Sequence, residues 1–249
     1  MSRLELRHVT KTFFEKGRET PALDDISFTV GPGEFVTIIG PSGSGKSTMF
    51  NLITGLLKAD QGEVVLDGEV INGRTGLVGY MPQRDLLLPW RNVLDNVTLG
   101  PQITGKPREA AYQRAQELLP LFGLESFADV YPATLSGGMR QRAALLRTFL
   151  LERDVKLLDE PFGALDALTR RDLQLWLLDV WAQFKTTILF ITHDVHEALL
   201  LADRVLVMSP RPGRIENDLP VDLPRPRDEL NPAFIRAEAD LLQFLRVGR

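Results

Sequence analysis

Phe35-Val36-Thr37-Ile38-Ile39-Gly40-Pro41-Ser42-Gly43-Ser44-Gly45-Lys46-Ser47-Thr48 is the stretch on which the fold turns. A compact run ending at a glycine predicts a strand buried on both faces, and a helix is expected from Lys46 to Leu56. Between them, Gly40, Gly45, Lys46 and Ser47 occupy the four fixed positions of a phosphate-cradling loop. The spacing has a physical reason. Glycines let backbone amides converge on one anion, and the helix N-terminus adds its partial positive charge. Lys46 can reach the outer phosphate oxygens, and the Ser47 hydroxyl can ligate Mg²⁺. A ligand-free turn joining strand to helix is the bland reading, and the strand before the loop and the helix after it weigh against it.

Outward from this loop the pattern is α/β. Alternation in Leu4–Val9 and Ile26–Val30 predicts half-exposed antiparallel strands near the N-terminus. Short strands are expected at Val64–Leu66 and Leu77–Met81, followed by a polar, helical stretch from Gln83 to Leu151. Beyond it, strands at Val155–Leu158, Thr187–Ile191 and Val205–Met208 alternate with helices at Leu168–Phe184 and Val195–Leu201, the rhythm of a parallel sheet. Pro210–Pro226 reads as turns and extended backbone, and Phe234–Val247 as an amphipathic helix.

Composition narrows the function classes. The 249 residues carry 44% hydrophobic and 25% charged side chains, which suits a folded globular chain. A net charge of −4 provides no field for nucleic acid. The absence of cysteine excludes disulfides, thiolate catalysis and cysteine-bound zinc. The charged first ten residues are not expected to form an export signal. Every apolar stretch is interrupted before it reaches membrane-spanning length.

Val155-Lys156-Leu157-Leu158-Asp159-Glu160 resembles a Walker B strand. A carboxylate at such a strand end, Asp159, would hold Mg²⁺, and Glu160, projecting differently, is the candidate for polarising an attacking water. Alone, the Asp-Glu pair would be a solvated strand end; the phosphate loop gives it meaning. Lys156 interrupts the apolar run, and an ammonium there is expected to need a route to water.

Leu135-Ser136-Gly137-Gly138-Met139-Arg140-Gln141-Arg142 resembles the signature of the ABC ATPase family. Ser136 with the Gly137 and Gly138 amides would make a second anion-binding helix start. The resemblance extends over nearly the whole chain with the family's motifs in order. It implies Gln83 as the Q-loop residue touching Mg²⁺ or water, Pro161-Phe162-Gly163-Ala164-Leu165-Asp166 as the D-loop, and His193 as the γ-phosphate contact. An aromatic stacked on adenine is implied at Phe13, with adjacent Phe14 the alternative.

The implied fold is a P-loop NTPase core of ABC ATPase type with N-terminal antiparallel strands and an inserted helical subdomain. Its expected bounds are 1–83 and 152–226 for the ATP-binding core, 84–151 for the subdomain and 227–249 for a helical tail. The implied activity is ATP hydrolysis in a head-to-tail homodimer that sandwiches two MgATP. Gly40, Pro41, Ser42, Gly43, Ser44, Gly45, Lys46, Ser47 and Thr48 of one copy would then face Ser136 of the other. Gln83-Arg84-Asp85-Leu86-Leu87-Leu88-Pro89-Trp90 and Met139 resemble the nitrate, sulfonate and taurine import branch, which also takes in thiamine-precursor pyrimidines. That branch implies two integral membrane permease subunits, an extracytoplasmic solute-binding protein, no nucleic acid partner, and a peripheral position at the cytoplasmic face of the inner membrane. A soluble ABC-type ATPase acting on nucleic acid or ribosomes is the alternative. The single cassette and the lack of heptads and cysteines disfavour it.

Overall fold

A computed structural model describes residues 2–15 and 17–247. In chain order the elements are β1 (Leu4–Glu15), β2 (Arg18–Val30), β3 (Phe35–Ile39), α1 (Lys46–Ile53), β4 (Gln61–Leu66), β5 (Glu69–Val70) and β6 (Gly79–Met81). Next come α2 (Val93–Val97), α3 (Leu99–Ile103), α4 (Arg108–Leu118), α5 (Gly137–Phe149), β7 (Val155–Asp159) and α6 (Ala167–Phe184). The chain closes with β8 (Thr187–Ile191), α7 (Val195–Leu201), β9 (Arg204–Met208), β10 (Ile215–Pro220) and α8 (Pro232–Val247). Two compact units result, Met1–Val78 with Lys185–Arg249, and Gly79–Phe184. Among the described residues no helix is long and apolar enough to cross a membrane.

In the first unit, β1 and β2 form a hairpin much longer than alternation predicts, paired as far as Glu15 opposite Arg18. Left-handed backbone at His8 (φ 51) and Asp25 (φ 53) accompanies register shifts along the pair. Such bulges break the period-two pattern, so the outer half of each strand is invisible to it. The other sheet of this unit has β3 at its centre, parallel to both β8 and β9, with β10 antiparallel to β9 at the edge. Every residue of β3 is buried, as expected of a run that is apolar at all positions but Thr37. β10 lies inside the proline-rich stretch, and Pro220 at its end suits an edge strand that has one free side.

The tail helix docks through Phe234, 1% exposed, into a core made with Ile39, Leu199, Val205 and Leu241. His196 on α7 lies between Glu229 and Glu238 at 3.0 and 3.3 Å and meets the Phe234 ring edge-on. Arg225 and Arg227 donate to the carbonyls of Leu199, Leu200 and Leu201, satisfying helix-end acceptors of α7 that have no partner within the helix.

In the second unit, β6 runs parallel to β7, and an aromatic cluster fills the space among the helices. Phe122 packs against Phe149 at 5.9 Å and Trp176 at 5.2 Å, and Phe149 meets Phe184 at 5.0 Å. Lys156 lies in this core with 0% exposure, so its side chain does not reach water as its sequence context led one to expect. The reason is packing: its stem lies beside Gly79, where a Cβ would come within 2.8 Å of Lys156 Cδ, and its ammonium lies over the Phe149 ring at 5.4 Å. Burial pulls the amine down to about 7, with Asp154 and Glu152 pulling the other way.

Candidate functional site

The phosphate loop belongs to the first unit and is built by its neighbours as much as by its own glycines. Gly45, the N-cap of α1, has φ 96, and a Cβ there would come within 2.6 Å of Leu23 Cδ2 and 2.8 Å of the Ala22 carbonyl. Only glycine meets both demands. At Gly40 a Cβ would stand 2.9 Å from the Met208 carbonyl, so the loop leaves β3 pressed against the end of β9. Gly45 offers no side-chain cap, and the first turn of α1 carries no acidic residue. The amides of that turn are therefore available to an anion from outside.

Lys46 is 7% exposed, and its ammonium donates to the carbonyls of Gly40 at 2.9 Å and Pro41 at 3.0 Å and to Ser44 Oγ at 3.4 Å. The cation is thus held inside the loop. Ser42, Gly43 and Ser47 are exposed, while Pro41 and Thr48 are partly so. This donor set fits a polyphosphate, and the exposed Ser47 hydroxyl fits a hard cation such as Mg²⁺.

A support that sequence reasoning missed lies in the Pro210–Gly213 turn. The amide of Gly213 donates to Ala22 at 2.9 Å, its carbonyl accepts from Asp24 at 3.0 Å, and a Cβ on Gly213 would come within 2.0 Å of the Ser44 carbonyl. The Pro210–Pro226 stretch reads as turns and extended backbone, but nothing in sequence ties it to residue 44. Gly213→Val is expected to push the loop out of shape. Overpacking of about 1 to 3 kcal/mol falling on the binding-competent loop would weaken ATP binding roughly tenfold, which titration with a fluorescent ATP analogue would read.

His193 follows β8 in the same unit and is exposed, just before the Asp194 cap of α7, whose carboxylate accepts from Glu197 at 3.2 Å. Phe13 is partly buried, with Lys11 Nζ 5.8 Å from its ring centre, and Phe14 is 70% exposed.

In the second unit, Asp159 ends β7 and is 4% exposed. Its carboxylate stands close enough to Tyr80 to help burial, the larger influence, push that phenol up to about 12. Glu160 takes a left-handed backbone, φ 44, which a non-glycine residue adopts at a cost of the order of 1 to 3 kcal/mol. Glu160 Oε2 accepts from Gln83 Nε2 at 3.1 Å, so the fold brings together two sequence-selected residues 77 positions apart.

Ser136 caps α5, its hydroxyl accepting from the Met139 amide at 3.2 Å, and remains exposed. Gly137 and Gly138 are closely packed as well. A Cβ at Gly137 would come within 3.2 Å of Leu165 Cδ2, and one at Gly138 within 2.9 Å of Thr169 Cγ2. Asp166 immediately precedes α6: the Thr169 amide donates to its carboxylate at 3.0 Å, and that bond holds the carboxyl below its ordinary range.

Residues 23–163 match the family model described as ABC transporter. An uncharacterised ABC transporter ATP-binding protein of Methanocaldococcus jannaschii is 43% identical over 98% of this chain and 91% of its own length. The taurine import ATP-binding protein of Pseudomonas aeruginosa is 46% identical, covering 90% of this chain and 86% of its own. Among solved structures, the dimeric form of the bacterial ABC transporter cassette MJ0796 matches with a TM-score of 0.77 at 33% identity, covering 88% of this chain and 98% of that one. The same cassette in a dimeric post-hydrolysis state with ADP and Pi matches at 0.76.

Proposed function

The chain belongs to the ABC transporter family as an ATP-hydrolysing subunit, and we propose that it drives solute uptake through a separate permease by pairing head to tail with a second copy around two MgATP. The observation that carries this reading is the pair of glycine-built helix starts, one at Lys46 with Ser47 exposed beside it and one at exposed Ser136, each suited to a phosphate. A single γ-phosphate has no use for both within one chain. Two copies facing each other use both, and the dimeric relative supports that arrangement.

Within this reading Phe13 stacks on adenine, the loop from Gly40 to Thr48 and Lys46 hold the phosphates, and Ser136, Gly137 and Gly138 of the second copy close over the γ-phosphate. Ser47, Gln83 and Asp159 would hold Mg²⁺, which when bound neutralises the phosphate oxygens. Glu160 takes the proton of the attacking water, oriented by Gln83; His193 contacts the γ-phosphate; Asp166 meets the second copy. Contacts that exist only with the γ-phosphate favour the closed pair, and their loss on hydrolysis reopens it.

The exposed Arg84 and the 71% exposed Trp90 follow Gln83 and are assigned to the permease contact. The partners are two integral permease subunits and an extracytoplasmic solute-binding protein, with this chain peripheral at the cytoplasmic face. The solute class is nitrate, sulfonate and taurine or a thiamine-precursor pyrimidine, in line with the taurine-import relative. Cells carrying the chain or its Lys46→Ala variant can be compared for uptake of labelled taurine, an alkanesulfonate, nitrate and an aminopyrimidine. Loss of uptake of one of these by at least about tenfold is expected, as for removal of a phosphate-binding cation. Unchanged uptake of all four, or faster accumulation in the variant, would contradict the import reading.

A further inference from the structure

The loop after Gln83 is fastened to the rest of its unit by side chains that the mechanism above does not use. Leu86 has φ 46, a left-handed conformation that a leucine adopts only where surrounding contacts enforce it. The enforcing group is Arg147 on α5. Its guanidinium donates to the Leu86 carbonyl at 2.8 Å and also to the Asp85 carbonyl. The planar fork takes both adjacent carbonyls at once, and the left-handed turn at Leu86 leaves both within its reach. About two turns earlier on the same helix face, Arg140 lies 3.5 Å from the Asp85 carboxylate, and the other oxygen of that carboxylate accepts from the Leu87 amide at 3.0 Å. Farther along, buried Asn96 bonds the backbone of Leu88, Arg91 and Asn92.

The clamp therefore begins two residues after Gln83, and Gln83 is the residue bonded to Glu160. The same helix carries Ser136 at its N-terminus. We infer that Arg147 is a positioning residue for ATP hydrolysis: by locking Asp85 and Leu86 onto α5, it fixes the departure of the chain from Gln83 and keeps Gln83 against Glu160. This rests on the proposed roles of Gln83 and Glu160. Arg147 touches neither nucleotide nor water in this scheme. Its effect passes through Gln83 alone, and that makes it separable from a merely structural arginine.

The test is a double-mutant cycle on the full chain, measuring kcat and KM for ATP. Arg147→Met and Arg147→Lys are each made alone and together with Gln83→Ala. Arg147→Met is expected to lower kcat about tenfold with KM within about twofold, the pattern of a lost transition-state arrangement. Arg147→Lys, which keeps charge and volume but not the fork, should fall between the two. With Gln83→Ala already in place, either substitution should cost less than about a further twofold. If Arg147→Met does not fold, the lysine variant completes the same cycle. Equal losses in both backgrounds, or a loss confined to KM, would overturn the inference. If Gln83→Ala alone left kcat unchanged, the assignment of Gln83 would fail first, a separate and recognisable result.

Discussion

Glu160→Gln should lower ATP turnover by at least about 100-fold, the scale of a lost general base, while leaving ATP affinity within about twofold. The side chain keeps its size and can still bond Gln83, which lies 3.1 Å from the carboxylate in the parent chain. Only the proton acceptor is lost. Phosphoryl transfer depends on positioning and charge neutralisation more than on covalent chemistry, so binding, which belongs to the Gly40–Thr48 loop and Lys46, should persist. Single-turnover phosphate release together with equilibrium ATP binding would check it. A variant that binds poorly, or that turns over at more than a tenth of the parent rate, would move the catalytic role elsewhere.

Lys156→Met should make the protein markedly more stable at neutral pH and flatten its stability against pH. The parent amine is fully buried and, among the described residues, its Nζ has no hydrogen-bond partner. Burial lowers it from 10.5 to about 7. Below about pH 7 the folded and unfolded chains both carry the ammonium, and the full penalty of burying it applies. Between about 7 and 10.5 the unfolded chain holds a proton that the folded chain has released, so stability climbs with pH. The rise over that window is on the order of 5 kcal/mol, reduced by whatever the Phe149 ring contributes to holding the cation. Methionine fills a similar volume without charge. Its melting temperature at pH 7 should exceed the parent's by roughly 5 to 10 °C, and the gap should narrow toward pH 9.5. Parallel curves for the two proteins would show that the amine is not the cause.

Much of the fold was legible because its signals are local. The run Phe35–Ile39 is apolar at all positions but Thr37, and all five residues of β3 are buried, while Gly40 and Gly45 after it stand where a Cβ has no room. The helical pattern at Val195–Leu201 matches the bounds of α7, and the structure adds Asp194 as its cap. The outer halves of β1 and β2 were not legible, since bulges at His8 and Asp25 destroy the alternation that reveals strands. β10 was hidden by prolines that an edge strand tolerates.

Within the site, the motif residues could be picked out individually, but not the contacts that support them. Nothing in sequence ties Gly213 to Ser44 or Arg147 to Leu86, because such contacts depend on tertiary approach. The one hint is that Arg140 and Arg147 share a face of α5. Lys156 shows the converse: its sequence context correctly flagged a cost but not its resolution, which depends on Gly79 and Phe149 leaving room for the stem and a ring for the charge.

That two copies complete each other's sites is tested most directly by the oligomeric state of Glu160→Gln, followed by size-exclusion chromatography without nucleotide, with MgADP and with MgATP. A dimer only with MgATP is expected, and adding Ser136→Arg, which fills the second anion site with a bulky cation, should return the protein to monomer while ATP still binds. A monomer under all three conditions, or an ATP-dependent dimer indifferent to Ser136→Arg, would contradict the head-to-tail arrangement.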